Sequence, residues 1–252
     1  MTLPVQILES VESDRCILIS GRRASIEAAA MAGEKRPAES KMARLMTGKK
    51  TPFGDAINAY EAEKGINALR MFMLGQLNVS GLAPTSYHID AVKRFPLIIS
   101  TSQDDLFERA AKSEGIDLIV LERGAPLPTP DPETRVLYKM WGSLEKPDTL
   151  GWTPEQRAVL PAVPEFRKRL RKLLVKHTLF FVGYRADDAE FTWAFEEFSD
   201  GFGGKLPRCH LAVTQGRISD FYWQKWVWRG LLLFTADPTE VSIGLVEAVG
   251  AP

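Results

Sequence analysis

Four short segments place small hydroxyl, glycine and carboxylate residues directly after apolar runs. They are Ser20-Gly21-Arg22-Arg23-Ala24-Ser25, Ser100-Thr101-Ser102-Gln103-Asp104-Asp105, Trp141-Gly142-Ser143 and Gly183-Tyr184-Arg185-Ala186-Asp187-Asp188. These are the residue types of a nucleotide crevice. Glycine lets backbone approach a phosphate, the free amides at a helix start face an anion, and carboxylates hold ribose hydroxyls. Arg22 and Arg23 either clamp a phosphate from one of these turns or stand in solvent. Ser102 either bonds a ligand hydroxyl or caps a helix. Asp104 and Asp105 either stabilise a cationic sugar or sit solvated in a first helical turn, and Asp187 and Asp188 divide in the same way between ribose contact and capping. Of the three histidines, His88 alone is placed to serve as a base, with a hydrogen-bonded packing role as the alternative; His177 and His210 fall at or within strand segments and carry no assigned role.

The elements that must position these residues follow from hydropathy. Apolar, β-prone runs recur at Cys16–Ile19, Leu97–Ile99, Leu118–Leu121, Val136–Met140, Leu179–Val182, Cys209–Val213 and Leu231–Phe234, with helix-like segments between them. Alternation of this kind is the sequence form of a parallel sheet covered on both faces. The spacing predicts an α/β, Rossmann-like doubly wound parallel sheet of six to seven strands, and in such sheets ligands sit beyond the strands' carboxyl ends. Ser102-Gln103-Asp104-Asp105 reads as a helix start, and Leu106 with Ala110 and Phe107 with Ala111 give i,i+4 apolar pairs behind it. Thr153-Pro154-Glu155-Gln156 has the form of a capping box. Residues 26–94 lack a strand run and read as a helical insertion after the first strand. The chain is expected to form one domain over residues 1–252.

Composition narrows the function classes. The 252 residues carry 32 basic and 32 acidic side chains, which argues against a protein that coats nucleic acid by bulk charge. No apolar run approaches the length of a membrane span and the N-terminus lacks a signal pattern, so a cytoplasmic, membrane-free protein is expected. Two distant cysteines, Cys16 and Cys209, read as buried thiols, and no CxxC pair or histidine cluster offers a metal site.

The order and spacing of the four segments resemble the SIR2-like (sirtuin-related) domain family. Its pattern is a strand followed by Gly-Ala-Gly-x-Ser, then Thr-Thr-Asn-Tyr-Asp-Asp-Leu-Leu-Glu, Lys-Leu-His-Gly-Ser and Val-Gly-Tyr-Ser-x-x-Asp. The counterparts are Gly21–Ser25, Ser100–Ala110, Lys139-Met140-Trp141-Gly142-Ser143-Leu144 and Phe181–Asp188, with Pro84-x-x-x-His88 and the Tyr222-Trp223 to Leu233 segment also fitting. The resemblance implies an NAD or ADP-ribose-like ligand, no metal, and a place in bacterial antiviral defence or an effector complex. It maps ligand binding onto Gly21, Arg22, Arg23, Ser25, Thr101, Ser102, Asp104, Gly142, Gly183, Tyr184 and Asp187, and catalysis onto Ser102, Asp104, His88 and Trp141. Three departures fall on function. The family's ribose-handling Asn is Ser102, its catalytic His is Trp141, and its glycine-rich turn holds Arg22-Arg23. An indole accepts no proton at neutral pH, so the resemblance implies a catalytically degenerate nucleotide binder. The alternatives are an active NAD glycohydrolase working through Asp104, Asp105 or His88, and a scaffold subunit.

Two further segments point to partners. Arg167–Lys172 places basic residues opposite Phe166, Leu170, Leu173 and Leu174, giving either a solvated outer helix or a nucleic-acid contact. Phe221–Trp228 carries three of the six tryptophans in one helical stretch, too many for one core face, which suggests a protein partner or a second copy of the chain. Arg22 to Lys50 holds eight basic against three acidic residues, a local positive patch or a solvated surface.

Overall fold

A computed structural model of the chain describes residues 3–33, 39–77, 81–153, 155–156, 164–200, 202–206, 210–214 and 216–250. In chain order the elements are α1 (Val5–Glu12), β1 (Cys16–Ser20), α2 (Arg23–Met31), α3 (Glu39–Thr47), α4 (Phe53–Lys64), α5 (Ile66–Leu77), α6 (Ser86–Arg94), β2 (Leu97–Ser100), α7 (Leu106–Ser113), β3 (Leu118–Glu122) and β4 (Arg135–Lys139). They continue as α8 (Pro164–Lys176), β5 (Thr178–Tyr184), α9 (Ala189–Ser199), β6 (His210–Thr214), α10 (Asp220–Trp228), β7 (Leu231–Thr235) and α11 (Pro238–Val249). All seven expected runs are strands. They pair in parallel in the order β3-β4-β2-β1-β5-β6-β7.

Successive strand residues point to opposite faces, and each face has its own core. Ile17, Ile19, Leu97, Ile99, Tyr138, Leu179 and Phe181 pack one side against α8, α9 and Trp226 of α10. Leu18, Ile98, Leu137, Phe180 and Val182 pack the other against α1, α6, α7 and α11. Because both faces are covered, β1, β2 and β5 are buried at every position, which is why they read as unbroken apolar runs. The insertion is helical, α2 to α6, and has a third core of Met42, Met46, Ile57, Leu69 and Met73, joined by Leu150 and Trp152 from the segment after β4.

Two local expectations have different outcomes. Thr153 and Gln156 do form a reciprocal cap: Gln156 N–H donates to Thr153 Oγ1 at 3.3 Å and Thr153 N–H to Gln156 Oε1 at 3.2 Å. Pro154 lies outside the described residues. The helix expected from Ser102 instead begins at Leu106, with Asp105 as its N-cap residue. Ser102 gives its N–H to Ser100 Oγ at 3.0 Å and its hydroxyl to Asp104, so residues 101–105 bend over the sheet edge before the helix begins. The pairs Leu106 with Ala110 and Phe107 with Ala111 are all buried, as their spacing requires.

The order reverses between β1 and β5: the chain leaves β1 toward β2, β3 and β4, then crosses back to β5 on the other flank. Ligands of open α/β sheets bind outside the carboxyl ends at such a switch point. There the turns after β1 and within β5 press together. A Cβ on Gly21 would lie 2.3 Å from the Gly183 carbonyl oxygen, and Gly183 itself takes φ +82°. Gly21→Ala is therefore expected to destabilise the fold by about 1–3 kcal/mol, because backbone on both sides must shift. Gly75→Ala, inside α5 with open space around it, is expected to be neutral or to stabilise by about 0.5–1 kcal/mol. Urea unfolding of the two variants checks the contrast.

Candidate functional site

Beyond the carboxyl edge of the sheet lies a cleft, part of it open to solvent. One wall is the loop Thr101, Ser102, Gln103 and Asp104; Arg22 and Glu190 close one side. Trp141, Leu144, Trp152, Trp193, Phe53, Met73 and Leu77 form the apolar remainder. The last three come from α4 and α5, so the insertion supplies the roof over a site that the sheet positions.

The polar wall is a connected network. Ser25 Oγ and Ser102 Oγ lie 3.0 Å apart, and Ser102 Oγ donates to Asp104 Oδ2 at 2.6 Å. Asp104 Oδ1 accepts the Leu106 N–H at 3.3 Å. Beneath it Lys139, 1% exposed, donates to the Asp104 carbonyl and, at 2.6 Å, to Glu108. A buried ammonium needs such partners, and here they fix the height of the 101–105 loop. Burial pushes the Glu108 carboxyl up, and Lys139 pulls it partly back.

Glu190 was not singled out in the sequence, yet it is central. It lies in the first turn of α9, is 4% exposed, and its Oε1 accepts from Thr101 Oγ1 at 2.7 Å and from the Arg22 N–H at 3.2 Å. Its Oε2 accepts Arg22 Nε at 2.8 Å. Burial raises its pKa, opposed by the Arg22 charge and the Thr101 bond. Arg23 is held in parallel by Asp188, Nε to Oδ2 at 3.0 Å. Both arginines that sequence reasoning offered to a phosphate are thus bound to carboxylates at the start of α9, Asp188 as its N-cap residue and Glu190 in its first turn. A signal for Glu190 did exist: it falls on the face of α9 that buries Phe191, Ala194, Phe195 and Phe198, where a carboxylate requires a partner.

The other candidates are placed as follows. Trp141 lines the cleft and also packs in the core, 4% exposed. Thr101 lines the cleft and bonds Tyr184 at 3.0 Å; Tyr184 is buried, and its hydroxyl is pushed well above the ordinary phenol range by burial and by Glu190. Gly142 adopts φ +86° with Thr149 backbone 2.2 Å from where a Cβ would be, so the turn itself requires the glycine. Asp187 pairs with Arg185 at 2.9 Å on an exposed surface, and that hydrogen bond holds its carboxyl below the usual range. His88 is not among the described cleft residues. It is 1% exposed and closes the N-terminus of α6, with Nδ1 2.9 Å from Thr85 Oγ1. Among the described residues no group of three His, Cys, Asp or Glu side chains is placed to hold a metal ion, and no helix is long and apolar enough to cross a membrane. Cys16 is a buried free thiol; Cys209 lies outside the described residues.

The model of the SIR2-like domain family matches residues 96–228, more than half of the 252 residues. The chain belongs to the SIR2-like domain family. The SIR2-like match spans β2 to α10, so it takes in the Thr101–Asp104 wall, Trp141 and Glu190 and leaves out β1, Arg22 and the helical insertion. No curated protein matches the chain.

Burial lowers the pKa of His88 from 6.5 to about 4, and the charges of Asp104 and Arg109 act on it in opposite senses. Since the folded value lies below the unfolded one, the neutral ring's contribution to stability is complete above pH 6.5. It is lost as pH falls toward 4, where the unfolded chain takes up a proton that the folded chain refuses. His88→Gln keeps an acceptor for the cap and removes the titration. Its stability is expected to fall less steeply between pH 6.5 and 5, by about one proton, in chemical denaturation across that range.

Proposed function

We propose that this SIR2-like chain takes a nucleotide of the NAD or ADP-ribose class across the cleft and does not turn it over. One observation carries the reading: the cleft residue at the end of β4 is Trp141. Cleavage of a nicotinamide–ribose bond passes through a cationic sugar and needs a positioned base, and loss of such a group costs about 10² to 10⁴ in rate. An indole supplies neither base nor anion. No described cleft residue is a histidine, and the carboxylates present, Asp104 and Glu190, are already engaged by Ser102 and Leu106 and by Thr101 and Arg22.

The residues fit part of such a ligand. Trp141, Trp152 and Trp193 offer faces for a flat base, and Thr101, Ser102 and Gln103 offer partners for ribose hydroxyls. The diphosphate does not fit as the side chains stand, since Glu190 holds the Arg22 amide and guanidinium. Membership of a bacterial defence or effector complex in the cytoplasm belongs to the same proposal and rests on family likeness.

A scaffold role is favoured by a separate observation. Trp226 of α10 is buried, whereas Phe221, Trp223, Val227 and Trp228 are exposed, with Phe221 at 70% and Trp228 at 65%. On α8, Leu170, Leu173 and Leu174 are buried and Lys168, Arg171 and Lys172 face outward, leaving a basic face for an acidic or nucleic-acid partner; the Arg167 side chain lies outside the described residues.

Calorimetric titration with NAD, followed by chromatography of the same mixture, separates these readings. The expected outcome is binding heat with no nicotinamide released. Products that vanish in Asp104→Ala would make the protein an active glycohydrolase, and the absence of products together with no heat from either NAD or adenosine would favour the scaffold.

A further inference from the structure

Four observations meet at the switch point between β1 and β5. The crevice there is the place an open parallel sheet offers to a ligand. The amide of Arg22, just before α2, is directed at the Glu190 carboxylate on the cleft wall, at a helix start whose dipole favours an anion; the amides of Ala24 and Ser25 are already bonded to the Gly21 and Arg22 carbonyls. Arg22 lines the cleft and supplies a guanidinium beside that amide. The position facing both is filled by Glu190, a nearly fully buried carboxylate held by Arg22 N–H, Arg22 Nε and Thr101 Oγ1.

We propose that Glu190 is a specificity-determining residue that occupies the cleft's anion position, so that the site accepts a phosphate-free nucleoside directly and admits a diphosphate only when Glu190 withdraws from Arg22. The inference rests on the nucleotide reading of the cleft and deepens it. Geometry and charge carry it. A carboxylate bonded at once to an amide and a guanidinium makes the same contacts that a phosphate oxygen would make. A second anion entering beside it loses those donors and meets a like charge at short range, which discriminates against it. A nucleoside without phosphate competes for neither donor.

The fixed partners make Glu190 a gate rather than a loose surface acid. Thr101 is tied through its N–H to the Ser20 carbonyl at 2.9 Å and lies 3.0 Å from Tyr184, so the carboxylate is gripped from β1, β2 and β5 together. Arg23 and Asp188 brace the same two turns beside it.

The test is calorimetric titration of wild type, Glu190→Gln, and Glu190→Gln combined with Arg22→Ala, each with ADP-ribose and with adenosine as the phosphate-free probe. Glu190→Gln keeps an acceptor for Thr101 and removes the charge. It is expected to bind ADP-ribose at least about tenfold more tightly than wild type and adenosine equally well, and Arg22→Ala should cancel the gain. If Glu190→Gln does not fold, Glu190→Asp draws the carboxylate back from Arg22 by one methylene and is expected to give a gain of about threefold in ADP-ribose affinity. Unchanged or weaker ADP-ribose binding in folded variants that still bind adenosine would overturn the gate and leave the nucleotide reading standing. If folded wild type and variants bind neither probe, the nucleotide reading falls and the gate falls with it.

Discussion

The constraint on which the cleft depends is the burial of one negative charge, Glu190, where three parallel strands end. A carboxylate taken out of water must be fully bonded, and its partners come from the turn after β1 and from the first residue beyond β2. Meeting that demand fixes the Arg22 turn, the Thr101 loop and the start of α9 relative to one another. Beside Glu190 the β1–β5 pairing carries on through Gly21 N–H to the Val182 carbonyl at 2.8 Å, and the chains lie so close there that no side chain fits at Gly21. The polar wall from Thr101 to Asp104 then inherits its position, with Lys139 supporting it from below.

Against this background the SIR2-like residues divide between fold and chemistry. Gly21, Gly142 and Gly183 each answer a backbone requirement internal to the sheet edge. Of the residues that the resemblance assigns to ligand or reaction, Trp141 lines the cleft, Ser102 is bonded to Asp104, and Arg22 and Arg23 are paired with Glu190 and Asp188. His88, the one histidine near the second strand, serves the start of α6, where a buried neutral ring closes a helix end.

The strands were legible because burial on both faces writes itself as short apolar runs, Cys16 to Ile19 and Leu179 to Val182 being the clearest cases. The turns after them were legible because small and acidic residues cluster there. Ser102 was misjudged as a helix start because a hydroxyl before two carboxylates has the local form of a cap. Its actual bonds to Ser100 and Asp104 close a local bend two residues to either side, and the contact with Ser25 is tertiary. Glu190 escaped notice because an acidic residue in a first helical turn is ordinary on a surface; only its phase relative to Phe191 and Ala194 marks it as inward. Phe53, Trp152 and Trp193 carry no local signal, since they come from elements whose packing over the cleft is set by the whole fold.

The most direct measurement is a crystal structure of the protein soaked with ADP-ribose, read at the Arg22–Glu190 pair. The account requires a diphosphate, where bound, to sit on the Arg22 amide with Glu190 displaced from it. A diphosphate bound in the cleft while Arg22 Nε stays 2.8 Å from Glu190 would contradict it.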